Sequence, residues 1–120
     1  MDESSDMETQ IMELIIHAGE ARSDAMEALR AARLRQWPQA EALLADAAAA
    51  ARRAHRIQTR FIGDDEGQGK VPVSLIMVHA QDHLMNAMLA RELVEELIIL
   101  HRAIDALQQR EIHHDTHEGR

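Results

Sequence analysis

The chain has 120 residues, which is enough for one domain with a hydrophobic core but not for two. Hydrophobic residues make up 46% and exclude a disordered tail, while Trp37 and Phe61 are the only aromatic residues, so the core must be built from Ala, Leu, Ile and Met. The formal net charge of −8 argues against nucleic acid or an anionic membrane surface as a partner.

Cysteine is missing from the sequence, which excludes disulfides and thiol chemistry within this chain. The first ten residues, MDESSDMETQ, have neither the basic start nor the apolar core of a signal peptide. No apolar run approaches the ~20 residues that span a bilayer. We therefore expect a cytoplasmic protein without direct membrane insertion.

Two long helices are predicted in the first half of the chain. The first runs from about Met7 to Arg35, after an acidic segment, residues 1–6, that we expect to be disordered. Its apolar residues at helical spacing are Ile11, Ile15, Ala18, Ala25, Leu29 and Ala32. The second begins at Trp37-Pro38, because proline is tolerated in a first helical turn and disfavours helix in the residue before it. Its stripe consists of Ala40, Leu43, Ala47, Ala50, Ala54, Ile57 and Phe61.

A long loop and a third helix complete the predicted fold. The segment GDDEGQGKVP, residues 63–72, contains three of the five glycines and one of the two prolines, which indicates a loop. The third helix is predicted from about Pro72 to Gln109, and residues 110–120 form a polar, flexible tail. The sequence therefore predicts an all-α, antiparallel three-helix bundle, with residues 7–109 as its single domain.

The third helix carries an ionisable cluster beside an apolar stripe. The stripe consists of Leu75, Val78, Asp82, Met85, Leu89, Leu93, Leu97, Leu100, Ile104 and Leu107. Asp82 is its one polar member. At 100° per residue, His79 lies about 60° from Asp82 and about 40° from His83, so the three share one face. Polar groups in such a place are a cost unless something pairs or uses them.

Three interpretations of this cluster are open on chemistry alone. The histidines could be ordinary, partly buried residues, with Asp82 paired to Arg22. His79 and His83 have a known metal-ligand spacing, although a catalytic zinc would need a third ligand and a cleft. Alternatively, one histidine accepts a phosphoryl group while the other, one turn away, donates a hydrogen bond to its oxygens.

Six segments of the sequence are distinctive: AGEARS at 18–23, AH at 54–55, QT at 58–59, SL at 74–75, HAQDHLM at 79–85 and ARELVEELIILH at 90–101. In these segments the sequence resembles enzyme IIA of the lactose/cellobiose/chitobiose type, from the bacterial sugar phosphotransferase system, and its loop and closing segment look most like the diacetylchitobiose branch. The similarity extends from roughly Met7 to Leu107. The turn at Arg35-Gln36-Trp37-Pro38 departs from the family, which often has Gly-Asp before an aromatic residue.

This resemblance implies a phosphotransferase component with a phosphohistidine intermediate, assembled as a homotrimer, a nine-helix bundle. It implies that His79 accepts phosphate from HPr and passes it to a cysteine of the cognate enzyme IIB, while enzyme IIC moves a disaccharide such as chitobiose or cellobiose. It further implies that His83 contacts the phosphoryl group and that Asp82 meets its two symmetry mates around one structural Mg²⁺ per trimer. His55 resembles a recurring family residue without an evident role.

A second hypothesis is a non-catalytic trimeric helical adaptor that keeps the motif. The intact pair of His79 and His83 favours phosphoryl transfer. Independently of the resemblance, one three-helix unit cannot bury all its apolar faces, so the stripe of the third helix should face other subunits and bring copies of Asp82 together.

Overall fold

The computed structural model describes residues 3–118, and the side chains of residues 6–113; in this range it contains three α-helices and no strand. Helix α1 spans Glu3–Arg33, α2 spans Trp37–Asp65 and α3 spans Leu75–Glu118. The chain runs up, down and up, so α1 and α3 are parallel and α2 is antiparallel to both. The predicted all-α, antiparallel three-helix bundle is therefore confirmed.

Both outer helix ends differ from the prediction. Residues 3–6 belong to α1, so the helix begins before the predicted start at Met7, while Met1 and Asp2 lie outside the described residues. The disorder of residues 1–6 in solution stays a prediction. Acidic and serine side chains suit a helix N-terminus, which explains the earlier start. Helix α3 continues to Glu118 instead of ending near Gln109, because neither glycine nor proline interrupts it. The flexibility of residues 110–120 in solution stays a prediction.

The core is made largely of alanine and forms along α1. Of the predicted stripe residues, those of α1 and α2 are buried, except for the partly buried Ile15, Leu29 and Leu43. The buried alanines of α1 and α2 lie in the same two clusters, where their small side chains allow the helices to approach closely. Among the side chains with less than 2% exposure the largest are Leu14 of α1 and Leu84 of α3, which lie in the same cluster.

Helix α3 buries a different face from the stripe that the sequence emphasised. Its buried residues are Met77, Ala80, Leu84, Ala87, Val94 and Ile98. The stripe stays exposed on the opposite side of the helix; we name it the α3 row, and it consists of Leu75, Val78, Asp82, Met85, Leu89, Leu93, Leu97, Leu100, Ile104 and Leu107. One chain thus leaves this row uncovered. Within residues 3–118, no helix is long and apolar enough to cross a membrane.

The turn between α1 and α2 is held by contacts with α3. Arg35 has a positive φ of 59°, which is unfavourable for a side chain of its kind. Its Nε lies 3.0 Å from Asp105 Oδ1, and its Nη2 donates a hydrogen bond to Gln108 Oε1 at 3.0 Å. Arg102 stacks over the ring of Trp37, 5.1 Å from the centroid. These contacts give the unusual Arg35-Gln36-Trp37-Pro38 turn a definite geometry.

Asp65 organises the loop between α2 and α3. Its carboxylate accepts hydrogen bonds from the backbone N–H groups of Val71, at 2.9 Å, and Gly69, at 3.3 Å. The bond from Val71 is the main reason why the pKa of Asp65 lies below its usual range. Gly67 and Gly69 adopt φ values of 68° and 71°, which favour glycine, so the loop folds back toward Asp65.

We predict that Asp65→Asn lowers the melting temperature near neutral pH, because a neutral amide accepts these backbone hydrogen bonds less strongly than a carboxylate does. Since the folded pKa is lowered, the stabilisation is complete above the unfolded value of about 3.9 and is lost as the pH falls through the folded pKa. The difference in free energy of unfolding between the native protein and Asp65→Asn, measured by urea denaturation, should be constant from roughly pH 5 to 8 and shrink below about pH 4.

The neighbouring Asp64→Asn serves as the matched control, because Asp64 is exposed. An equal loss of stability in both variants would contradict a specific role for Asp65.

Candidate functional site

Ser74 begins α3 and thereby fixes the position of the candidate histidines. Its Oγ accepts a hydrogen bond from the backbone N–H of Met77 at 3.2 Å, and its carbonyl accepts one from Val78 at 3.1 Å. A serine in this place satisfies a free N–H group of the first turn. His79 therefore lies in the second turn of α3, and His83 follows one turn later on the same side.

The structure brings His79 and His83 into direct contact, as their spacing predicts. The Nε2 atoms of the two rings are 3.0 Å apart, and the rings meet edge to face, with centroids 4.4 Å apart and planes at 89°. In a hydrogen bond between two Nε2 atoms, one carries the proton and the other offers its lone pair. The neutral pair thus presents one donor and one nucleophilic nitrogen side by side.

The two histidines differ in their access to solvent. His79 is exposed, whereas His83 is half-buried. The exposed imidazole can be reached by a group on another molecule, while the half-buried imidazole is better placed to support a group that is already bound. The geometry therefore distinguishes two chemically similar side chains.

Asp82 lies beside the histidines but belongs to the α3 row. Its side chain is exposed, and within residues 6–113 no ion pair joins it to Arg22, the partner that the simplest interpretation required. Among the same described side chains, no three His, Cys, Asp or Glu residues come together as a metal site. One chain supplies a single carboxylate at this point, so a metal held by Asp82 would need ligands from other copies.

A pair of glutamines anchors the site to α2, and sequence reasoning assigned neither of them a role. Gln58 Nε2 donates a hydrogen bond to Gln81 Oε1, and Gln81 Nε2 lies 3.9 Å from the sulfur of Met77. Gln81 is two residues from both histidines and points to the other side of α3. Both glutamines stand in segments that carry the family resemblance, but their contact depends on the packing of two helices and has no local signal.

An apolar groove of about 450 Å³ adjoins the site at Val78. Its apolar lining residues are Phe61, Ile62, Val71, Val73, Met77 and Val78. Val78 and Met85 are exposed, but Met88 packs against the core and borders a cleft between α2 and α3, so it does not flank His79.

Comparison with known proteins gives consistent matches over most of the chain. The family described as "PTS system, Lactose/Cellobiose specific IIA subunit" matches residues 9–102. The N,N'-diacetylchitobiose-specific EIIA component of Escherichia coli K12 is 47% identical over 104 residues, covering 87% of this chain and 90% of the relative. The lichenan-specific enzyme IIA component of Bacillus subtilis is 43% identical over 101 residues, covering 84% and 92%.

Solved structures agree with these relatives in fold. The cellobiose-specific enzyme IIA of Bacillus anthracis superimposes with a TM-score of 0.80 at 37% identity, covering 88% of this chain and 94% of that one. The IIA(Chitobiose) chain solved in complex with HPr, from Escherichia coli, gives 0.73 at 45% identity, covering 88% and 99%. This chain therefore belongs to the lactose/cellobiose-specific IIA subunit family of the sugar phosphotransferase system.

Proposed function

We propose that this chain is a phosphoryl carrier that accepts a phosphoryl group from HPr on His79 and passes it to a cysteine of its cognate enzyme IIB. The observation that carries the proposal is the 3.0 Å contact between Nε2 of the exposed His79 and Nε2 of the half-buried His83. The family membership and the similarity to a IIA chain solved with HPr support the choice of partner.

The chemistry follows from the two nitrogens. With the proton of His79 on Nδ1, its Nε2 lone pair attacks phosphorus, and the bond to the donor molecule breaks as the bond to Nε2 forms. Nε2–H of His83 then donates to a phosphoryl oxygen instead of to His79. A donor fixed in advance stabilises the charge that develops on the oxygens without having to reorganise.

The sugar enters this proposal only through the relatives. They are specific for chitobiose, cellobiose or lichenan, so a disaccharide such as chitobiose or cellobiose is the proposed cargo. The membrane component IIC would move and phosphorylate it. The site of this chain handles the phosphoryl group alone, which is consistent with a surface pair of imidazoles beside an open apolar groove.

The α3 row supports assembly as a homotrimer. Its nine apolar members are all exposed, from 39% for Leu97 to 86% for Leu75. Exposed apolar surface of this extent marks an interaction site. Around a threefold axis the row would meet its two copies as a nine-helix bundle, and three copies of Asp82 would converge.

Three converging carboxylates repel one another and are poorly solvated. Carboxylate oxygens are the ligands that Mg²⁺ prefers, so the Asp82 side chains of three subunits would hold one structural Mg²⁺. The position of Asp82 within an otherwise apolar row fits this role, because the row brings it to the axis.

The direct test of transfer is incubation with phosphoenolpyruvate, enzyme I and HPr, followed by intact mass measurement of this chain. We predict that the native protein gains one phosphoryl group, that His79→Gln gains none, and that His83→Ala, which lacks the donor, is labelled at His79 but orders of magnitude more slowly. Loss of one donor to a developing anion typically costs about 2.7–4 kcal/mol. Labelling of His79→Gln, or a label mapped to His83 in the native protein, would reverse the assignment.

We predict that the neutral pair contains two different tautomers, because the contact joins Nε2 to Nε2. Long-range ¹H–¹⁵N spectra at pH 8 should show His83 protonated on Nε2 and His79 protonated on Nδ1. In His83→Ala, His79 should lose this preference, since no side chain at position 83 then donates a hydrogen bond to its Nε2. Two Nε2–H tautomers in the native protein would contradict the proposed nucleophile.

We predict that Asp82→Leu keeps the trimer, raises its melting temperature and abolishes the stabilisation that magnesium gives the native protein. Replacing a buried charged cluster by packed apolar residues is often neutral or stabilising, by about 1–4 kcal/mol. Sedimentation and thermal melts with magnesium or a chelator provide the measurements. A monomeric Asp82→Leu variant, or native melting that ignores both magnesium and chelator, would show that Asp82 has another role.

A further inference from the structure

A small cleft between α2 and α3 collects two arginines and a histidine away from the histidine pair of the proposed transfer site. It encloses about 180 Å³ and is lined by Ala48, Ala51, Arg52, His55, Met88 and Arg91. The space exists because α2 contributes two alanines where α3 contributes longer side chains. Two guanidinium groups and an imidazole therefore line one cavity of small volume.

Arg91 is the least satisfied of these groups. Only 24% of its side chain is exposed, and its Nε is buried without a hydrogen-bond partner. Its nearest carboxylate is Glu95 on the next turn, and the distance from Nη1 to Oε2 is 3.8 Å. Such a separation is too long for a strong hydrogen bond, so a buried donor is left over.

Arg52 and His55 also lack partners among the side chains that the structure describes. Both are exposed residues of α2, and neither forms a hydrogen bond or an ion pair within residues 6–113. The chain carries 21 acidic residues against 13 basic ones, so it has carboxylates enough to pair them internally. Arg52 and Arg91 thus line one cleft with only the 3.8 Å contact to Glu95 to offset their charges, so a bound anion there would compensate their mutual repulsion.

We propose that this cleft binds a small tetrahedral oxyanion, inorganic phosphate or the phosphate group of a phosphomonoester. Guanidinium groups match oxyanions in geometry and donate paired hydrogen bonds to them. The buried Nε of Arg91 would gain the acceptor that it lacks, and Arg52 and His55 would close the outer side. The apolar walls of Ala48, Ala51 and Met88 strengthen these interactions by lowering the local dielectric constant.

The cleft is separate from the proposed transfer site. Met88 lies nine residues after His79, which places it about 180° around the axis of α3. A ligand in the cleft therefore occupies the side of α3 that faces α2, whereas the histidine pair lies on the other side. The proposal also gives a role to His55, which phosphoryl transfer leaves unused.

Isothermal titration calorimetry of the full-length protein with sodium phosphate, against sodium chloride at equal ionic strength, tests the proposal. We expect saturable binding of one phosphate per chain to the native protein. Arg52→Gln and Arg91→Gln should each weaken it about tenfold or more, because each removes a charge-assisted donor. Arg52 is exposed, so its variant should fold even if Arg91→Gln does not.

Two control variants distinguish phosphate binding in the cleft from phosphate binding elsewhere on the protein. Arg60→Gln removes an exposed arginine of the same helix outside the cleft and should leave the dissociation constant unchanged. His79→Gln should also retain phosphate binding, which distinguishes the cleft from the histidine pair.

Absence of saturable binding, or a dissociation constant that changes in neither Arg52→Gln nor Arg91→Gln, would overturn the proposal. Absence of binding together with a lower oligomeric mass of Arg91→Gln in sedimentation would show that the cleft is a contact between subunits instead.

Discussion

The packing of one narrow face of α3 against α1 and α2 determines the rest of this molecule. Once Ala80, Leu84 and Ala87 turn inward, the helical repeat fixes the direction of every other side chain on α3. The histidine pair then lies at the edge of the packed face, and the α3 row lies on the side of the helix opposite to the packed face. Three sides of α3 thus contribute to the core, to the proposed transfer site and to the proposed contact between subunits.

The fold could be predicted from the sequence because the signals that mark helices and loops lie within short stretches of the chain. Spacing of three and four residues identified the packed faces of α1 and α2, and the glycines of the second loop marked the return to α3. On α3 the strongest apolar pattern was the exposed row, because its nine apolar members outnumber the six buried residues, two of which, Ala80 and Ala87, contribute weakly to such a pattern. Apolar side chains that face solvent in one chain therefore dominated the prediction.

The site was predicted as far as it depends on a single helix. His79 and His83 are one turn apart in any α-helix, so their contact follows from spacing alone. The contact between Gln58 and Gln81 and the pairing of Arg35 with Asp105 depend on how separate helices meet. Spacing rules relate residues within one helix, so they could not predict contacts between residues that are far apart along the chain.

Because α3 is long and continuous, it holds residues at known distances from His79. It is continuous for 44 residues, and the exposed Gln109 lies 30 residues beyond His79, about 45 Å along the helix axis. A fluorescent dye attached at position 109 would lie far from any protein that docks at His79, and helix α3 would hold the dye at a fixed distance from that histidine. Energy transfer from such a dye to a labelled partner would report the position of the partner along the bundle without disturbing the contact itself.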